Sequence, residues 1–102
     1  MAVEHISQSN FDEVVSGTEV VLVDFFATWC NPCKILAPVL DQISESLPEN
    51  RKIVKIDIDE NMDAARKFGV MSIPTLILFK NGQAAQRLVG VRPEEEIREL
   101  LK

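Results

Sequence analysis

The residues best suited to chemistry are Cys30 and Cys33, the only cysteines, in the stretch Trp29-Cys30-Asn31-Pro32-Cys33-Lys34. This stretch follows the strongest apolar run of the sequence, Val20 to Ala27, and precedes a helical pattern. Residues three apart on a helix share a face, with Cα atoms roughly 5 Å apart. That lies inside the ~4.4–6.8 Å window a disulfide requires. The two sulfurs can therefore be bonded or free with little backbone movement, as a reversible dithiol site needs. Cys30 falls at or just before the predicted helix N-terminus, where unpaired N–H groups and the positive end of the dipole favour an anion. A thiolate there is stabilised and becomes the attacking nucleophile. Pro32 suits a first helical turn. Cys33 opens a face that continues with Leu36, Leu40, Ile43 and Leu47. It is expected to be the more buried thiol and the resolving one.

Two other readings use the same pair. A Cys-x-x-Cys is half a zinc site, but a closed site takes four ligands, and only the distant His5 could join the two thiols. An inert structural disulfide is the other reading. So short a loop removes little chain entropy, which makes it a poor staple.

The elements that must position the pair fit one domain spanning residues 1–102, a common size. Hydrophobic residues at 46% and charged ones at 26% match an ordinary globular chain. A net charge of −5 argues against nucleic acid and against anionic membrane surfaces as partners. No apolar run approaches the ~20 residues of a membrane-spanning helix. Met1 to Asn10 lacks a basic region followed by an apolar core, so no signal peptide is read there. The expected location is the cytoplasm, where a persistent disulfide is rare and a cycling one is not.

In chain order, Val3 to Ile6 is a short strand, and Ser9 with Asp12 marks a helix through Phe11, Val14 and Val15 that stops at Gly17. Val20 to Ala27 reads as a strand buried on both faces. The main helix runs from Pro32 to about Leu47, with a kink expected at Pro38 and an end at Pro48. A strand over Lys52–Asp59, a short helix over Met62–Phe68 and a strand over Thr75–Phe79 follow. Asn81-Gly82 predicts a hairpin that turns Thr75–Lys80 back onto Ala84–Val89. Pro93 opens a last amphipathic helix with Ile97, Leu100 and Leu101 facing inward. The order β-α-β-α-β-α-β-β-α implies a mixed sheet with right-handed crossovers, covered by helices on both faces.

Several stretches together resemble the thioredoxin family over essentially the full length. They are Val21-Leu22-Val23-Asp24-Phe25, Trp29-Cys30-Asn31-Pro32-Cys33-Lys34, Gly69-Val70 leading into Ile73-Pro74-Thr75, Phe79-Lys80-Asn81-Gly82 and Val89-Gly90. The resemblance implies an α/β thioredoxin fold, a central five-stranded mixed sheet flanked by four helices. It further implies a monomeric reductase of diverse disulfide-containing proteins, binding no cofactor itself and recharged from NADPH by a thioredoxin reductase. Asp24 interrupts the covered strand, so it is expected to be buried with a raised pKa. By resemblance it lies behind Cys33 and relays the proton of the second step, with Lys55 approaching the carboxylate. Taken alone, Lys55 reads as a solvated strand residue. The resemblance also implies a cis Ile73–Pro74 bond beside the cysteines, and a shallow docking patch built from Trp29, Ile73, Pro74, Gly90 and Val91. Ile73 and Val91 read equally well as ordinary core. Asn31 departs from the glycine usual at its position, between the two sulfurs, and Phe26 from a common tryptophan.

The implied activity is protein disulfide reduction. An oxidant or isomerase of the same fold, and a non-catalytic subunit using the dithiol face for docking, are the alternatives.

Overall fold

The computed structural model describes residues 3–102, so the first two residues of the expected domain lie outside the described part. Nine elements follow in order: β1 (Glu4–Ile6), α1 (Phe11–Ser16), β2 (Val20–Phe26), α2 (Asn31–Glu45), β3 (Arg51–Asp57), α3 (Met62–Lys67), β4 (Thr75–Lys80), β5 (Gln83–Val89) and α4 (Glu94–Leu100). The five strands form one sheet in the order β1-β3-β2-β4-β5. β3 runs parallel to both β1 and β2, while β4 is antiparallel to β2 and to β5. The mixed sheet and its four helices are the expected fold.

Side chains alternate across a strand, and β2 uses the alternation to serve two cores. Val20 and Leu22 join Leu36, Leu40 and Ile43 of α2 and Ile97 of α4 on one face. Val21, Val23 and Phe25 join Phe11 and Val15 of α1 and Ala64 of α3 on the other. Residues 20 to 25 of β2 are all buried, which only a strand covered on both sides requires. The even-numbered face of β2 therefore carries Asp24 toward the α2 side of the sheet.

Element ends differ from the sequence reading for local reasons. The N-cap of α1 is Asn10, whose Oδ1 accepts the Ser7 N–H, while the Ser9 hydroxyl pairs with that of Ser7. Val3 is buried but lies outside β1, its N–H donating to Asp41 Oδ1 at 3.0 Å. β2 ends at Phe26 because Ala27 turns its carbonyl to the Cys30 N–H. β3 ends at Asp57, whose Oδ1 accepts the Asp59 N–H and starts a turn. α2 continues through Pro38 and ends at Glu45, followed by the C-cap Ser46, whose N–H and hydroxyl both return to Ile43 O. Ile97 of α4 and its C-cap Leu101 are buried, and Leu100 is only partly so. The hairpin turn has positive φ at both Asn81 (52°) and Gly82 (82°), as a tight two-residue turn demands.

Candidate active site

The loop after β2 delivers Cys30 to the start of α2. Cys30 is the N-cap residue, in extended backbone, and its Sγ accepts the Cys33 N–H at 3.2 Å. This satisfies one of the donors that a helix N-terminus leaves free. Asn31 and Pro32 fill the first helical turn, and Cys33 follows on the inward face with Leu36 and Leu40. The two sulfurs are bonded, with Cα atoms 5.3 Å apart.

The expected difference in exposure between the thiols is absent in this bonded form. Cys30 and Cys33 are each 4% exposed. The reason lies in the α3–β4 connection, which closes over the pair. Ile73, with Phe26 and Ile58, packs against the cluster of Ala27, Cys30 and Cys33, and its carbonyl oxygen lies 3.8 Å from Cys30 Sγ. What separates the two sulfurs is backbone position, since only Cys30 caps the helix and receives its N–H. The Ile73–Pro74 bond is cis, and the Pro74 carbonyl accepts the Gly90 N–H at 2.8 Å. Gly90 has φ +88°, a conformation that favours glycine.

Trp29 is 64% exposed and Val91 47% exposed, so Val91 is not core. Ile73 is partly buried and Pro74 buried. The Trp29 ring is held by its indole Nε1–H, which donates to Asp59 Oδ2 at 2.7 Å. Asn31 and Pro32 lie exposed at the rim.

Behind the pair lies a cavity of about 150 Å³ that Asp24, Cys33, Lys34 and Lys55 all line. Asp24 is 2% exposed and its Oδ1 has no hydrogen-bond partner. Burial pushes its carboxyl from 3.8 up to about 7, because an unhydrated carboxylate is disfavoured, and the Lys55 charge pulls partly back. Lys55 is the register partner of Asp24 on the parallel neighbour β3, and its Nζ lies 5.5 Å from the Phe26 ring centre. It is half-buried rather than a solvated strand residue. Among the described residues, no group of three His, Cys, Asp or Glu side chains could hold a metal ion. No helix of the described residues is long and apolar enough to cross a membrane.

Sequence reasoning missed two residues here. Asp59, the anchor of Trp29, lies 30 positions away with no local signal. Met71, 96% exposed on the α3–β4 connection, could have been noticed as a large apolar residue between Gly69 and Pro74.

Comparison with known proteins agrees with this geometry. The Thioredoxin family model matches residues 2–102. A thioredoxin of Staphylococcus haemolyticus is 48% identical over 101 residues, covering 99% of this chain and 96% of the relative. One from Staphylococcus aureus is 47% identical over 102 residues, covering 99% and 96%. Among solved structures, a mutant thioredoxin from Halobacterium salinarum superposes with a TM-score of 0.91 at 37% identity, covering 98% of this chain and 88% of that one. Plasmodium falciparum thioredoxin superposes at 0.88 with 35% identity, covering 97% and 96%. The family match and these likenesses span essentially the whole chain, and the chain belongs to the thioredoxin family of thiol–disulfide oxidoreductases, which reduce protein disulfides.

Proposed function

We propose that this thioredoxin reduces protein disulfides with Cys30 as attacking nucleophile, Cys33 as resolving thiol and Asp24 as acceptor of the Cys33 proton. The observation that carries the reading is the unpartnered Asp24 carboxyl lining the same cavity as Cys33, behind a bonded pair at the start of α2. The Cys30 thiolate attacks one sulfur of a substrate disulfide, forming a mixed disulfide and releasing the other sulfur as a thiolate. Cys33 then gives its proton to the Asp24 carboxylate and attacks Cys30 Sγ. The remaining substrate sulfur leaves, the Cys30–Cys33 bond forms, and two electrons have passed to the substrate. A carboxyl with pKa about 7 populates both forms near neutral pH, so it can take the proton and later release it. Lys55 acts on that balance through its charge.

Trp29, Ile73, Pro74, Gly90 and Val91, with Asn31 and Pro32 at the rim, form the docking surface for an extended substrate chain. Support comes from the exposed apolar Trp29 and Val91, and from the Ile73 carbonyl beside Cys30 Sγ. Thioredoxins carry electrons on the cysteine pair and bind no cofactor. The oxidised pair is reduced again by a thioredoxin reductase using NADPH. The protein works as a monomer of one domain, residues 1–102, in the cytoplasm, on diverse disulfide-containing proteins.

The test is dithiothreitol-driven reduction of insulin disulfides. The protein accelerates it, and both Cys30→Ser and Cys33→Ser abolish the acceleration. Cys33→Ser accumulates mixed disulfides with the substrate and Cys30→Ser accumulates none. Trapping by Cys30→Ser instead would reverse the roles, and no acceleration by the unaltered protein would leave only a binding subunit.

A further inference from the structure

Met71 is the most exposed large apolar side chain among the described residues, at 96% against 54% for Met62. Methionine normally fills gaps in cores, and on surfaces it marks contacts that must adapt to varied partners. Its loop is held at both ends. On one side the Arg87 guanidinium donates to the carbonyls of Phe68 and Gly69, where α3 stops. On the other, the Thr75 hydroxyl donates to Ser72 O and the Gly90 N–H to Pro74 O. A pinned loop thus displays the thioether two residues from Ile73, whose carbonyl touches Cys30 Sγ.

We infer that Met71 is a site of reversible oxidation to the sulfoxide, and that this oxidation weakens docking of protein disulfides beside the dithiol. The effect on docking rests on the docking surface proposed above. In the bonded form both cysteines are protected as the disulfide. Met71 is then the most exposed reduced sulfur among the described residues. Its sulfur lone pair attacks one oxygen of a hydroperoxide, the O–O bond breaks, and the second oxygen leaves as water or alcohol. The methionine sulfur is oxidised by two electrons and the peroxide is reduced by two. A flexible apolar tip becomes a polar, chiral one, which no longer favours an apolar contact, and methionine sulfoxide reductases reverse the change.

The experiment treats the disulfide form with hydrogen peroxide and follows Met71 and Met62 by peptide mass spectrometry. Met71 is expected to oxidise on the order of twofold or more faster, following exposure. The oxidised protein, once its disulfide is reduced, should show a KM for insulin raised roughly threefold to tenfold, the scale of one lost apolar contact. Its rate with a small aromatic disulfide should be unchanged. Methionine sulfoxide reductases should restore the KM, and in Met71→Leu peroxide treatment should produce no rise in KM. Equal oxidation of the two methionines overturns the inference. So does an unchanged KM after Met71 oxidation when Val91→Asp, made in parallel, raises it. An unchanged KM in Val91→Asp as well removes the docking surface itself, and the effect of Met71 with it.

Discussion

The two faces of β2 treat burial in opposite ways. On the odd-numbered face Phe25 is fully buried and meets Phe11 and Phe68, with Phe79 completing an aromatic group whose ring centres lie 5.0–6.2 Å apart. Such tilted and edge-on pairs stabilise beyond their buried area. One residue earlier, on the even-numbered face, Asp24 is as deeply covered but holds an oxygen with no partner. Adjacent residues of one strand thus do opposite things, one stabilising the fold and the other holding a buried ionisable group at a cost in stability. The contrast shows that the dithiol face is kept less favourable than packing alone would allow.

The largest expected effect breaks the aromatic side. Phe25→Ala should destabilise the protein by about 3–5 kcal/mol, the range for emptying a buried aromatic site, and by the same amount at every pH. Denaturant unfolding at pH 4.5 and pH 8 tests both statements. Asp24→Asn should act in the other direction and with a pH dependence. Between 3.8 and about 7 the folded protein holds a proton on Asp24 that the unfolded chain has lost. Stability therefore falls as pH rises through that window, by up to about 4 kcal/mol above it. The variant lacks this loss, so it should match the parent near pH 3.5 and exceed it by a few kcal/mol at pH 8. A constant difference across that range would mean that Asp24 is not buried as an ionisable group. The smallest effect belongs to Lys55→Met. Removing the charge that favours the carboxylate should move the midpoint of the Asp24-dependent loss upward, by less than about one pH unit. A downward shift would count against the pairing of Asp24 with Lys55.

Much of this was legible in the chain because local chemistry and tertiary role coincide. The apolar run Val20–Phe26, broken only by Asp24, reads as a strand covered on both faces, and Asp24 stood out within it for that reason. Asn81-Gly82 announced β5, although β5 itself is exposed at every position but Leu88 and has no strand-like alternation to read. The features that escaped depend on register and on distant loops. Lys55 is placed near Asp24 only by the family resemblance, since on its own it looks like any solvated strand residue until β3 is set parallel to β2 with Lys55 opposite Asp24. Among the residues that cover Cys30, Ile58 and Ile73 lie 28 and 43 positions along the chain. The display of Met71 depends on Arg87, which reaches across from β5 to the end of α3.

The claim that Asp24 takes the Cys33 proton is tested most directly by the resolving step alone. Cys30 is loaded as a mixed disulfide with thionitrobenzoate, and release of the coloured thiolate by Cys33 is followed by stopped flow from pH 5.5 to 8.5. In the unaltered protein the rate should fall as pH drops through about 7, where Asp24 becomes protonated. In Asp24→Asn that inflection should disappear, and release at pH 7.5 should be slower by at least roughly tenfold, the low end for loss of a general base. Superimposable pH profiles for the two proteins would contradict the role given to Asp24.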